Sequence, residues 1–269
     1  MVICRFSKED KKVDKLNIKS KLAKIVKNPN DAPFSEELSM AKEGALEVFY
    51  SPFDYINANA KLVIVGISPG ETQAKNANQE FANLYNNNLT EVDALKGAKE
   101  VASFSGAMRN NLVKLLDNVG VNSLFNLSSC MALFNEEAAH MVHYTSVFRY
   151  PVLKNGKPIS SAKGYLKSPL LNHMVKSMLT SELEKLNNAI ILPLGQGVND
   201  VLMDLVECGV IHHSAVLSAL PHPSGANAER IKYFLGEKAR ADLSVKTNAL
   251  FLDKARENLL SQIDTLKGV

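Results

Sequence analysis

The sequence predicts an α/β protein: a three-layer αβα domain built around a central four-stranded parallel sheet. Two observations carry that prediction. Four short runs are hydrophobic almost without interruption, the pattern of strands covered on both faces. Helix-length segments separate or follow them, and the resulting β, α, β, α order calls for parallel strands joined by right-handed crossovers. The 269 residues are 46% hydrophobic and 22% charged, a balance that belongs to a folded globular chain with room for one large domain.

Residues 1–27 hold nine lysines and arginines against three acids, with Leu16, Ile18, Leu22 and Ile25 near helical spacing. This predicts a basic amphipathic helix packed by its apolar stripe, with a DNA-contacting arm as the alternative. Residues 28–33 read as a linker, so a basic N-terminal helix and linker occupy 1–34 and a single α/β domain occupies 35–269. Ser35 opens a helix expected to reach about Phe49. The four strands are expected at 61–66, 141–148, 189–194 and 215–220, and further helices at 107–118, 168–187, 197–208, 227–242 and 248–266. Between Lys75 and Ser103 lies a polar insert longer than a simple βα connection.

Several classes are excluded early. No run reaches the roughly 18–20 apolar residues of a membrane span, and the N-terminus lacks the apolar core of a signal peptide, so a cytosolic (cytoplasmic) protein is expected. Cys4, Cys130 and Cys208 contain no CxxC pair, which argues against iron–sulfur and structural zinc sites. A formal charge of +3 permits an anionic partner without demanding one.

Ligands of open parallel sheets bind beyond the carboxyl ends of the strands, so the residues leaving each strand matter most. The first strand exits into Gly66-Ile67-Ser68-Pro69-Gly70-Glu71, where two glycines around a proline turn the backbone sharply and present N–H groups to a ligand or water. Neither a Walker loop nor a GxGxxG fingerprint is present. The last strand exits into Pro221-His222-Pro223-Ser224-Gly225, where flanking prolines fix the direction of the imidazole. Taken singly, the first loop reads as a strand-to-helix turn and the histidine as a structural hydrogen-bond partner.

Together, Gly-x-x-Pro-Gly after the first strand and His-Pro-Ser after the last resemble the uracil-DNA glycosylase superfamily. Tyr50-Ser51-Pro52 looks like the Tyr-x-Pro segment of its single-strand-selective branch, and Phe104-Ser105-Gly106 like the Phe-Val-Gly of its thermophilic branches. Thr145-Ser146-Val147-Phe148-Arg149-Tyr150-Pro151 is similar to the family's Thr-Asn-x-x-Lys-x-x-Pro strand, and Leu194-Gly195-Gln196-Gly197-Val198 to its third-strand exit.

The resemblance implies a glycosylase that hydrolyses the N-glycosidic bond of a flipped-out pyrimidine, without cofactor or metal, acting as a monomer on single-stranded DNA or on duplex with an extruded base. It assigns His222 a hydrogen bond to the pyrimidine O2, worth about 3–4 kcal/mol for a well-placed donor. Ser68 would orient the attacking water and Glu71 accept its proton. Phe104 would stack on the base, a contact worth roughly 1–3 kcal/mol, in a pocket shared with Gly66, Ile67 and Ser146. Ser224, Gly225, Asn227 and Arg230 would meet the DNA, and Lys154, Lys157, Lys163 and Lys167 form a possible backbone track.

Two positions depart from the family pattern. Ser146 stands where an asparagine reads the uracil edge, with Asn126 and Asn155 as substitutes away from the matching position; Ser68 stands where many branches place Asp or Asn to hold the water. Losing a bidentate amide opens the pocket and removes discrimination between uracil and cytosine. The expected substrate is therefore a modified base bulkier than uracil, such as glucosylated hydroxymethylcytosine in phage DNA, an antiphage role, with the polar insert as a lid. Uracil excision in base excision repair, a catalytically inactive nucleic-acid-binding module and a nucleotide enzyme using the Gly66–Gly70 loop are the alternatives.

Overall fold

The computed structural model describes residues 13–268; the rest of the predicted basic N-terminal helix, residues 1–12, lies outside the described residues. The chain begins with α1 (Val13–Lys27), then a hairpin of β1 (Ser39–Glu43) and β2 (Leu46–Phe49), and then β3 (Leu62–Gly66). Four helices follow, α2 (Glu71–Asn86), α3 (Glu91–Ala102), α4 (Ala107–Asn118) and the single turn α5 (Val121–Leu124). Strands β4 (Val142–Ser146), β5 (Val152–Lys154) and β6 (Lys157–Pro158) lead to α6 (Pro169–Met174) and α7 (Thr180–Leu183). The last elements are β7 (Ile190–Pro193), α8 (Gln196–Glu207), α9 (Ala228–Phe234) and α10 (Ala249–Lys267).

The central sheet is parallel in the order β4-β3-β7, with Gly66 opposite Ser146 and Val65 opposite Pro193. Alternate residues of β3 define the layers. Leu62 and Ile64 pack with Leu112 and Leu116 of α4 and Leu259 and Ile263 of α10. Val63 and Val65 pack on the other side with Phe81 of α2, Val201 of α8 and Leu22 and Ile25 of α1. A second, antiparallel sheet, β1-β2-β5-β6, closes one flank; its last hairpin turns at Asn155-Gly156, both at positive φ. No helix among the described residues is long and apolar enough to cross a membrane.

Four expectations are corrected. The parallel sheet has three strands, not four: the segment expected at 215–220 touches β7 only through isolated bridges, Ile191 with Val216 and Leu194 with Leu220. Pro193 has no N–H to donate to this segment, and after Leu217 N donates to Ile191 O (2.9 Å) the next donor to β7 is Leu220 N on Pro193 O (3.1 Å), a register slip that interrupts the ladder. The expected helix from Ser35 to Phe49 is a short 3-10 turn followed by the β1–β2 hairpin. Gly44, at φ 56, supplies the left-handed turn, and β2 gains β5 as a partner, a long-range pairing that helical spacing does not reveal. The helix expected over 227–242 ends at Phe234, two residues before Gly236 at φ 78.

The polar insert is neither loop nor lid but the helical hairpin of α2 and α3. Ala74, Ala77, Phe81 and Ala82 face Ala94, Ala98 and Ala102, a small-residue seam that lets the helices approach closely. A Cβ added at Gly97 would lie 2.3 Å from Leu84 Cδ1. The asparagines of this stretch hide the stripe: Asn83 and Asn86 occupy outer positions of the same helical period, while Asn78 is buried and accepts from Ser51 Oγ (2.9 Å).

Candidate active site

The carboxyl ends of β3, β4 and β7, with the segment leading to Leu220, open on a cavity of about 830 Å³. Gly66, Ile67, Ser68, Phe104, Ser146, His222, Ser224, Asn227 and Arg230 all line it, with Gly66 beside Phe104 and Ser146. Glu71 and Gly225 are not part of the lining; Glu71 is exposed in the first turn of α2. Of the four candidate lysines only Lys163 reaches the cavity, and Asn126 and Asn155 occupy positive-φ turns outside it. Among the described residues no Asp or Glu lines the cavity, whereas Lys99, Arg149, Lys163, Arg230 and Lys246 do. The field at the site is therefore positive, suited to an anionic ligand.

His222 is held from several directions. Asn111 Nδ2, on α4, donates to Pro223 O (2.9 Å), and a Cβ added at Gly195, which has φ 95, would lie 3.8 Å from His222 Cβ. Ser224 N donates to His222 Nδ1 (3.3 Å). Burial lowers the imidazole pKa from 6.5 to about 4, so the ring is neutral at physiological pH. A neutral ring whose Nδ1 accepts from a backbone amide carries its proton on Nε2. His143 offers a contrast: its Nδ1 accepts from Asn57 N (3.3 Å), but its Nε2 donates to Glu182 Oε1 (2.6 Å) inside the protein. His222 Nε2 has no protein partner among the described residues, on a side chain that lines the cavity.

Phe104 has φ 50, a left-handed conformation that costs a bulky residue about 1–3 kcal/mol and is over-determined by its surroundings. Arg109 Nη2 donates to Val101 O (3.1 Å) and Ser103 O (3.0 Å), and Asn76 Nδ2 to Ser105 Oγ (3.1 Å), clamping the turn on both sides. The ring meets Tyr144 edge-on at 5.8 Å, Tyr144 stacks on Phe134 at 4.8 Å, and Arg109 lies 4.8 Å from the Phe134 centroid. A Cβ built on Gly66 would approach Phe104 Cζ (3.6 Å) and Ser146 Oγ (3.5 Å), so glycine keeps the floor between them open.

Ser68 is already engaged. Its hydroxyl donates to Tyr150 O (3.3 Å) and accepts from Val152 N (3.0 Å), tying the first-strand loop to the entry of β5. One lone pair remains for a water. Thr145 Oγ1, buried in the cavity wall beside Ser146, has no hydrogen-bond partner. Buried hydroxyls without a partner are rare, and this one sits at a ligand cavity.

Beneath the site lies a charged cluster that sequence reasoning missed. Glu182, 0% exposed, accepts from Arg149 Nε (2.9 Å) and Nη2 (2.7 Å), from His143 Nε2 and from Lys99 Nζ (3.4 Å). Lys99 also donates to Tyr55 O (2.7 Å) and Arg149 to Met178 O (3.2 Å). These cations hold the Glu182 carboxyl well below the usual carboxylate range, and burial lowers His143 to about 4. Lys99 and Arg149 thus face the Glu182 carboxylate and a neutral imidazole, while Asp54, which accepts from Tyr50 and Tyr150, acts on both cations as a second carboxylate. A π-helical turn at Val175–Leu179, between α6 and α7, accompanies the placement of Met178 and Glu182 on Arg149. Arg149 was visible within its motif, but nothing in the spacing pointed to Lys99 or Glu182.

His222, Phe104 and the cations line one cavity at the carboxyl ends of a parallel sheet, the place where open α/β sheets bind ligands. The sequence model of the Uracil DNA glycosylase superfamily matches residues 53–251, and the chain belongs to that superfamily. It is similar to the Bacillus subtilis (strain 168) "Uncharacterized protein YoxB", 33% identical over 226 residues that cover 83% of this chain and 88% of that protein. Among solved structures it resembles wild-type Pedobacter heparinus SMUG2 at 13% identity and a TM-score of 0.41, over 92% of this chain and 98% of that one.

Proposed function

We propose that the protein is a monofunctional DNA glycosylase that hydrolyses the N-glycosidic bond of a pyrimidine turned out of its strand. The observation that carries this reading is the neutral His222, whose Nε2–H has no partner, at a cavity lined by no carboxylate, among the described residues. That proton would bond the pyrimidine O2 as the C1′–N1 bond breaks and its electron pair moves onto the base. Water adds to C1′ and gives up a proton, which leaves with the base or to solvent. Phe104 would stack on the base, Ser146 and the free Thr145 hydroxyl would meet its polar edge, and Ser224, Asn227 and Arg230 would hold the phosphates.

Ser68 would direct the water through its remaining lone pair. A weak base suffices, because an oxocarbenium-like centre needs little help from the nucleophile. The favoured substrate is a modified cytosine bulkier than uracil, such as glucosylated hydroxymethylcytosine of phage DNA. Its support is the short Ser146 side chain and the open Gly66 floor of the cavity. A second reading, an inactive DNA-binding module, is favoured by the engagement of Ser68 and the distance of Glu71 from the lining.

Scoring abasic sites after incubation with uracil-containing and glucosylated DNA separates these readings. Abasic sites in the glucosylated DNA alone are expected. Sites in the uracil DNA alone would replace the substrate, and none in either, with DNA still bound, would leave the inactive module.

A further inference from the structure

We propose that Thr145 is a specificity-determining residue: its hydroxyl belongs to a second lobe of the cavity that holds a neutral, hydroxyl-bearing group appended to the base. The inference rests on the glycosylase reading above and names the part of the site that would read the substrate. Side chains alternate across a strand, so Thr145 and Ser146 leave β4 on opposite faces. Ser146 pairs with Gly66, where an added Cβ would meet Ser146 Oγ (3.5 Å) and Phe104 Cζ (3.6 Å), so it shares a face with the Phe104 ring. Thr145 pairs with Val65, which packs on the other face with Phe81 and Val201. Both residues line the cavity, which therefore reaches round the end of β4. At about 830 Å³ it falls in the upper part of the range that drug-sized ligands fill, roughly 300–1,000 Å³, and has room for more than one ring.

The second lobe is built to donate. Thr145 is 7% exposed, and its Oγ1 is buried without a hydrogen-bond partner, a cost that a bound acceptor recovers. His143, two residues earlier on the same face, bonds the Glu182 that Lys99 also reaches, which puts Lys99 next to this lobe. After Tyr55 O and Glu182 Oε1, the Lys99 ammonium keeps one N–H of its three. Gln73 has its Oε1 engaged by Gly70 N (3.1 Å), which leaves the amide Nε2 to offer. Ala77, one turn further along α2, packs with Phe53, and Gln73, Phe53 and Lys99 all line the cavity. Charge decides what such a lobe takes. Lys99 and Arg149 are answered by Glu182 and Asp54, so an anion would have to compete with two carboxylates for the cations. Sugar-like hydroxyls accept from Thr145, Lys99 and Gln73 without disturbing those pairs.

The test is binding to a strand that the protein cannot hydrolyse. One strand carries a 2′-fluorinated nucleotide of glucosylated hydroxymethylcytosine, whose N-glycosidic bond resists cleavage, and a second carries the unglucosylated base at the same position. The wild type is expected to bind the glucosylated strand more tightly. Thr145→Val keeps the shape and removes the hydroxyl; it should lower that preference roughly ten-fold, the loss expected for a hydrogen bond left unmade at a sugar hydroxyl. Its Tm should hold or rise, because an unpaired buried hydroxyl is gone. Thr145→Ser, which restores the hydroxyl, should keep the wild-type preference. An unchanged preference in Thr145→Val, with or without a fall in Tm, makes Thr145 a packing residue and overturns the inference. A wild type with no preference between the strands that still leaves abasic sites in cleavable DNA overturns the lobe and spares the glycosylase reading. No binding to either strand and no abasic sites in any cleavable one overturns both.

Discussion

Glu182→Gln is the sharpest test of how the cavity floor is held. The substitution keeps the side chain's shape but removes its charge, and turns an amide N–H toward the donors of Arg149 or Lys99. Removing one partner of a buried ion pair typically costs about 3–5 kcal/mol, because the remaining charge is left uncompensated. Here two cations in the cavity lining would lose their shared carboxylate. For a domain of this size each kcal/mol lowers Tm by about 2–4 °C, so a fall on the order of 10 °C is expected, read by thermal and urea unfolding.

The acid limb provides a second readout. Glu182 lies well below its ordinary pKa when folded, so the unfolded chain takes that proton first, and the stabilisation present above about pH 4.3 is lost as pH falls. His143 is lowered from 6.5 to about 4, so its contribution is intact above 6.5 and disappears between 6.5 and 4. Glu182→Gln should keep the second phase and lose the first. Adding Lys99→Met should recover part of the stability, since it withdraws one stranded charge. A loss below about 1 kcal/mol for Glu182→Gln, or no recovery in the double variant, would refute the argument that uncompensated charge governs this cluster.

The remaining expectations concern the site itself. His222→Ala should lower base excision about 100-fold or more with DNA affinity little changed, measured by single-turnover assays. Because His222 titrates near 4, its donor form should persist from neutral pH down to about pH 5; a loss of excision centred near 6.5 that vanishes in His222→Ala would contradict the neutral-donor role. Ser68→Ala removes the acceptor for Val152 N and the donor to Tyr150 O, and should cost about 1 kcal/mol in unfolding experiments as well as slowing excision. Glu71→Gln should keep excision within about two-fold of wild type, since the residue is exposed and outside the cavity; a ten-fold fall would restore it as proton acceptor.

What the sequence made legible follows from local chemistry. Near-continuous apolar runs announced β3, β4 and β7, because a strand covered on both faces has no polar positions to spare. The fourth run failed for a reason outside itself: a proline in its neighbour offers no N–H, and the bonds to β7 that remain are out of step. Ser35 to Phe49 looked helical locally, yet its partner strand, β5, begins more than a hundred residues later. The insert misled in the opposite sense, since its asparagines suggested a loop while its alanines and Phe81 already carried the helical seam.

The same division runs through the site. His222 between two prolines, Phe104 before Ser105-Gly106 and the glycines around Ser68 were visible because constrained backbones are written in neighbouring residues. Their allocation was not. That Ser68 spends its proton on Tyr150 O, that the Nε2 proton of His143 is taken up by Glu182, and that Lys99 reaches the same Glu182 all depend on partners 39 to 83 residues apart in the chain. Residue types and local turns determine which groups are capable of chemistry; only the packed molecule decides which of those groups still have a donor or a lone pair to offer, because each hydrogen-bonding site is filled by the nearest partner that folding brings to it.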